Sequence, residues 1–199
     1  MIVTLSGITG VGKSYFKNCI IQDLKFKNMA IVTTREKREQ EINGIDKYFV
    51  TLEQFENLKK DKNILVDFTF LGNEYAYKKE DLLSKENSVT ELHYNTIYEF
   101  KKISNNILSF YIIPKDITLA KNELYKRKLS KEIEQSRIKE IEQQLDEFKN
   151  NKKLQKQFDY IIYNDYTDKT KKEIMYIIKK MMEGNCYAQK SNCRKLENE

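Results

Sequence analysis

Residues Gly7-Ile8-Thr9-Gly10-Val11-Gly12-Lys13-Ser14 follow the pattern G-x-x-x-x-G-K-[ST]. They lie between a short, apolar, β-branched run, Ile2-Val3-Thr4-Leu5, and a stretch from Tyr15 to Lys27 that reads as a helix. Strand, glycine loop and helix in that order fix how the fold must begin: a buried parallel strand feeds a tight turn whose backbone faces an anion. Glycines let consecutive N–H groups turn inward around a polyphosphate, and the start of the helix adds its positive dipole end. Lys13 is spaced to reach the β- and γ-phosphates, and the Ser14 hydroxyl to ligand Mg²⁺. The expected triphosphate cradle is thus Gly7, Thr9, Gly10, Val11, Gly12, Lys13 and Ser14.

At 199 residues the chain is expected to form one compact α/β domain with a small insert. With 33% charged and 40% hydrophobic residues, it has the balance of a globular protein with a solvated, Lys- and Glu-rich surface. No apolar run approaches the ~18 residues that cross a bilayer, and the first residues lack the pattern of a signal peptide, so the expectation is a cytoplasmic protein with no membrane partner. Cys19, Cys186 and Cys193 stand at no metal-ligand spacing, and His93, the only histidine, is far from them in sequence. The net charge of +6 is interleaved with acids, as in Lys121-Asn122-Glu123 and Lys139-Glu140. That reads as solvated helix face rather than a nucleic-acid surface. Oligomeric state is not legible in the sequence.

Five runs read as parallel strands: Ile2–Leu5, Ala30–Thr33, Val89–Leu92, Ile107–Ile113 and Tyr160–Tyr163, with helical stretches between them. Pro114 closes the fourth and precedes a helix expected over Asp116 to Ser130. The pattern changes between Arg35 and Leu83, with strands at Lys47–Val50, Ile64–Leu71 and Tyr75–Tyr77, a turn at Gly72-Asn73, and a capping box from Thr51 to Gln54. The expected organisation is a core of residues 1–34 and 84–183, a mixed insert at 35–83, and a lid at about 127–140, a stretch too charged to bury itself. Residues 184–199 read as a polar tail.

A second motif runs from Thr33-Thr34-Arg35 through Arg38, Glu41, Gly44 and Asp46 to Phe49-Val50. Two arginines three apart, directly after a strand and facing a triphosphate loop, suit a second phosphate, because guanidinium forks bind phosphate bidentately. This segment resembles the guanylate kinase family, whose pattern is T-T-R-x-x-R-x-x-E-x-x-G-x-D-Y-x-F-V. The resemblance continues through Phe55 to Gly72-Asn73-Glu74-Tyr75, which is similar to the family's G-N-Y-Y-G. It resumes at Phe158-Asp159-Tyr160-Ile161-Ile162-Tyr163-Asn164-Asp165 and covers the chain to about Met182.

The resemblance implies a kinase that transfers the γ-phosphoryl of ATP to a nucleoside monophosphate, with Mg²⁺. Arg35, Arg38 and Tyr75 would hold the acceptor phosphate, Arg127 and Arg137 would close from the lid over the donor phosphates, and Asn164 lies where the family contacts adenine. The physics agrees, since phosphoryl transfer needs positioning and charge stabilisation and no protein nucleophile.

The chain also departs from that pattern. Guanylate kinases meet guanine's N–H donors with carboxylates, but the ungapped match puts Val66 and His93 at those two places. Lys47 stands for a tyrosine, Tyr77 for a small hydroxyl residue, and Glu91 for an aspartate near the metal. Asp67 adjoins Val66, but neighbours on a strand face opposite ways, so it could substitute only through a bulge or a shifted register. His93 reads either as a structural residue or as a base contact able to titrate near neutrality. Two alternatives stay open: a kinase for a different phosphorylated acceptor, and a guanylate-kinase-like binding module, against which the intact Gly12-Lys13-Ser14 argues.

Overall fold

The computed structural model describes residues 1–39, 41–127 and 129–184; the expected tail, with Cys186 and Cys193, lies outside them except for Gly184. Strand β1 (Ile2–Gly7) runs through the middle of a five-stranded, all-parallel sheet and is buried along nearly its whole length, as its unbroken apolar run requires. Its neighbours are β7 (Ser88–Glu91) and β8 (Ile107–Pro114), and the flanks are β2 (Lys27–Asn28) and β9 (Tyr160–Asn164), giving the order β2-β7-β1-β8-β9. Helices α1 (Lys13–Leu24), α4 (Ile97–Ile103), α5 (Ile117–Tyr125), α6 (Lys131–Asn150) and α8 (Asp168–Met182) complete the alternation. The apolar spacing of α8 explains its docking, since Ile174, Ile177 and Ile178 form one buried stripe.

A second, four-stranded sheet has the order β4-β3-β6-β5, from β3 (Ile31–Thr33), β4 (Lys47–Phe49), β5 (Ile64–Phe70) and β6 (Asn73–Lys78). Only β3 and β4 are parallel; β6 runs antiparallel to both of its neighbours. Helix α2 (Leu52–Lys60) covers a small core of Val32, Phe55, Ile64 and Ala76. Its expected capping box is present: Gln54 N–H donates to Thr51 Oγ1 at 3.1 Å, and Thr51 N–H to Gln54 Oε1 at 2.9 Å. Leu71 and Gly72, both at positive φ, make the tight turn between β5 and β6.

Two expectations require correction. The strand expected at Ala30–Thr33 belongs to the second sheet, while Lys27–Asn28 takes the edge of the parallel one. One extended run therefore serves both sheets. Met29 N–H still donates to Val89 O at 3.0 Å, but β7 ends at Glu91, and β6 offers Tyr75 and Ala76 as the next partners. The helix expected to reach Ser130 stops at Tyr125, because Ser130 caps α6 by accepting Ile133 N–H. Tyr77, which stands where the resemblance has a small hydroxyl residue, is fully buried against Phe100, with its hydroxyl donating to Glu91 O at 2.8 Å.

Candidate functional site

The glycine loop opens at the carboxyl end of β1, where open α/β sheets bind their ligands. Gly7, Gly10 and Gly12 have φ of 141°, 82° and 89°. A Cβ on Gly7 would lie 2.3 Å from Ile112 O, and one on Gly10 2.5 Å from Ala120 O, so both the conformation and the close approach exclude a side chain. Lys13 Nζ folds back to donate to Gly7 O and Ile8 O, 2.8 Å each. Val11 is buried beneath the loop, Thr9 is half-buried and Ser14 is exposed. Burial pulls the Lys13 pKa down to about 8, although Glu91 opposes the shift.

Two residues, one at the end of β9 and one just beyond it, brace the loop from behind. Asn164 is 2% exposed; its Nδ2 donates to Val11 O at 3.0 Å and its Oδ1 accepts Tyr166 N–H at 2.8 Å. Both ends of its amide are thus engaged in holding the loop rather than left free for a base. Tyr166, a residue the sequence reading missed, donates from its hydroxyl to Gly10 O at 3.0 Å and carries a φ of 60°.

Glu91, at the end of β7, is the electrostatic hub between loop and insert. Burial alone would raise its pKa, but the charges of Lys47, Lys17 and Lys13, with a hydrogen bond from Ser14, bring it down to about 2. Lys17 Nζ lies 3.6 Å from Glu91 Oε1 and is buried on α1. Lysine three residues after Ser14 shares its helix face, a signal the sequence offered and the reading passed over. The Lys47 pKa is lowered, first by burial and then by Lys17 and Arg35, against the pull of Glu91.

The arginine loop is organised by its own side chains. Thr34 Oγ1 accepts Glu74 N–H at 2.9 Å, clamping the loop to β6, and Thr33 Oγ1 accepts Arg35 N–H at 3.1 Å. Glu41 takes Arg35 Nη2 on both oxygens, at 2.7 and 2.9 Å, and Arg38 N–H at 2.9 Å. Burial would raise the Glu41 pKa, but these bonds and the two arginine charges outweigh it and hold the group below the usual carboxylate range. Arg38 has an exposed surface, yet enough protein surrounds its guanidinium that desolvation, then the charges of Arg35, Arg127 and Arg137, pull its pKa down. Arg137, on the exposed first half of α6, is paired with Glu140 at 2.7 Å. The structure therefore gathers Lys13, Lys47, Arg35, Arg38, Arg127 and Arg137 around one cleft.

Beyond the cations the cleft turns aromatic. Tyr75, paired with Thr33 on β3, stacks on Phe68 at 5.3 Å and 12°. His93 lies 5.4 Å from Phe68, 4.8 Å from Phe70 and 4.6 Å from Tyr94. The cause is a bulge in β5: the register shifts between Leu65 and Phe68, and Val66 adopts a φ of 53°. This shift of strand parity carries Phe68 and Phe70 to the face that meets His93. Asp67 goes elsewhere, pairing with Lys59 of α2 at 2.5 Å on the exposed side. His93 does not titrate near neutrality, since burial and the Lys13 charge lower its pKa to about 4.

A family model described as Guanylate kinase matches residues 1–181. The chain belongs to the guanylate kinase family. A protein named guanylate kinase from Mesoplasma florum is 28% identical over 183 residues, and the match covers 89% of this chain but 60% of that relative's length. The crystal structure of guanylate kinase from Anaplasma phagocytophilum superposes with a TM-score of 0.68 at 22% identity, over 91% of this chain and 85% of that one, which establishes the guanylate kinase fold. A small polar recess beside Met1, Ser84 and Asn106 sits at the amino ends of the strands, the wrong end of such a sheet for substrates.

Proposed function

We propose that the protein is an ATP-dependent nucleoside monophosphate kinase of guanylate kinase type, transferring the γ-phosphoryl of ATP to GMP or a related (deoxy)nucleoside monophosphate. The observation that carries this reading is the convergence of Lys13, Lys47, Arg35, Arg38, Arg127 and Arg137 on the mouth of the glycine loop. Like charges repel one another in the free protein, so such a cluster suits polyanions. In the reaction a phosphate oxygen of the acceptor attacks the γ-phosphorus in line, the bond to the β–γ bridging oxygen breaks, and ADP leaves. The acceptor oxygen is already ionised, so no general base is required. Lys13, Arg127 and Arg137 balance charge on the transferred group, while Arg35, set in place by Glu41, and Arg38 hold the acceptor phosphate.

The residues present fit Mg²⁺. Ser14 hydrogen-bonds to the Glu91 carboxylate, leaving its oxygen lone pairs for the ion, with Glu91 as outer support. Among the described residues no cluster of three or more acidic, histidine or cysteine side chains could hold a metal, and Mg²⁺ needs none, since it typically takes one or two protein ligands plus phosphate oxygens and water. Held by Ser14 with Glu91 behind it, the ion would supply positive charge that offsets the charge of the donor phosphates.

On this reading residues 127–140 close over the donor. In α6 the fully buried residues Ile141, Leu145 and Phe148 lie in the second half, and the first half touches the core through the partly buried Ile138, which supports a hinge near that residue. Among the described residues no helix is long and apolar enough to cross a membrane; a cytoplasmic location, where ATP and monophosphates meet, belongs to the same reading. The test is ADP formation from MgATP with GMP, dGMP, AMP, UMP, CMP and dTMP in turn. At least one should stimulate ADP release strongly; failure of all six would refute the kinase reading.

A further inference from the structure

We propose that the acceptor is a monophosphate of the uracil or thymine type, held by stacking on the wall of Phe68, Phe70, Tyr75 and His93, and that guanine is the least favoured base. This rests on the kinase reading above. The wall begins where the cations end: Tyr75 is paired with Thr33, two residues before Arg35, and His93 follows Glu91 by two residues. A monophosphate gripped by Arg35, Arg38 and Lys47 therefore lays its base along these rings, which are half-buried and so partly open to the cleft. Stacking on such a surface tolerates any base, because every base has a π-face. Selectivity must come from the polar edge.

Among the described residues, the carboxylates nearest that edge already accept protein donors. Glu91 is occupied by Lys17 and Ser14, Asp67 by Lys59, Glu147 by the Tyr94 hydroxyl at 2.5 Å, and Glu74 by the Thr69 hydroxyl at 3.0 Å. His93 lies against the same wall, beside Phe68 and Phe70. Its Nδ1 accepts Asn95 N–H at 3.4 Å, which leaves the proton on Nε2 and makes the ring a donor. A donor beside an apolar wall suits a base rich in carbonyls and poor in N–H groups. Guanine brings three edge N–H bonds, adenine and cytosine two each in their amino groups, and uracil and thymine one between two carbonyls; thymine adds a methyl group that suits phenyl rings. Each stranded donor costs roughly tenfold in binding.

The experiment measures kcat/KM with MgATP for UMP, dTMP, CMP, AMP, GMP and dGMP, and binding of each in calorimetric titrations without ATP. UMP or dTMP should exceed GMP by about a hundredfold, with AMP and CMP between them. His93→Phe keeps the stack and removes the donor, so it should lower kcat/KM for UMP and dTMP about tenfold and leave the Kd for ATP unchanged. Val66→Glu supplies the missing carboxylate and should raise GMP turnover about tenfold. A wild-type preference for GMP would overturn the inference while leaving the kinase standing. Turnover of none of the six would refute the kinase reading and the inference with it. A UMP preference that survives His93→Phe would overturn the role assigned to the imidazole.

Discussion

The two phosphate-handling regions of this molecule are built from different materials. The donor corner is made of backbone: three glycines at positive φ, a lysine folded over the loop, and a brace from Asn164 and Tyr166. The acceptor side is made of side chains: Arg35 on Glu41, Lys47 and Lys17 on Glu91, and a wall of rings delivered by a bulge. A backbone site tolerates little change, because a Cβ at Gly7 or Gly10 collides with a fixed carbonyl. A side-chain site can exchange its chemistry while the strands beneath it stay in place.

The sharpest way to break this contrast is Lys13→Ala. It removes the lysine charge that the glycine loop carries, so kcat should fall by ~10²–10³ or more while the melting temperature of the apo protein hardly moves. ADP release near the wild-type rate would mean that the loop is scaffold only. Next in size is Arg38→Ala, which should weaken monophosphate binding by about 1.5–3 kcal/mol and leave ATP binding alone. Arg35→Ala should match that loss and also loosen the loop, since Glu41 then loses its fork. Equal losses for both ligands, read by titration, would make these arginines structural.

A pH profile sharpens the comparison further. With the Lys13 pKa lowered to about 8 in the free protein, raising the pH through 8 discharges the lysine, so kcat/KM for ATP should fall severalfold between pH 7.5 and about 9. Saturating ATP holds the ammonium charged, and kcat should resist the change. Glu91, at about 2, and His93, at about 4, should contribute no titration between pH 6 and 8. A profile of kcat/KM for ATP that stays flat to pH 10 would deny the lowered lysine. The smallest effect belongs to Gly72→Ala. Its Cβ meets open space at a φ of 73°, so the cost is about 1 kcal/mol of backbone strain with activity unchanged; loss of activity would mean that the β5–β6 turn takes part in binding.

The turn of the glycine loop was legible in the sequence because each glycine falls at a fixed place in a fixed spacing, whereas the part of Asn164 in bracing it was not. Element type was legible wherever the periodicity was strong, as in β1 and β8. The strand at 31–33 was assigned to the wrong sheet because a run of β-branched residues states that it pairs, not with what. The bulge at Val66 and Asp67 was anticipated only as a possibility, since nothing local in Leu65-Val66-Asp67-Phe68 fixes where the parity shift lands. Tyr166 escaped because its role depends on a contact 156 residues away along the chain.

The stretch that closes one sheet and opens the other has a thermodynamic consequence. Lys27 to Thr33 is a single extended segment, Ile31 and Tyr77 of the smaller sheet belong to the main hydrophobic core, and the Tyr77 hydroxyl is tied to the carbonyl of Glu91. Peeling the smaller sheet away would expose core rings and strip the edge strand at the same time, so partial unfolding offers no refuge. The two sheets should melt together, in one cooperative transition that both donor and acceptor ligands shift upward.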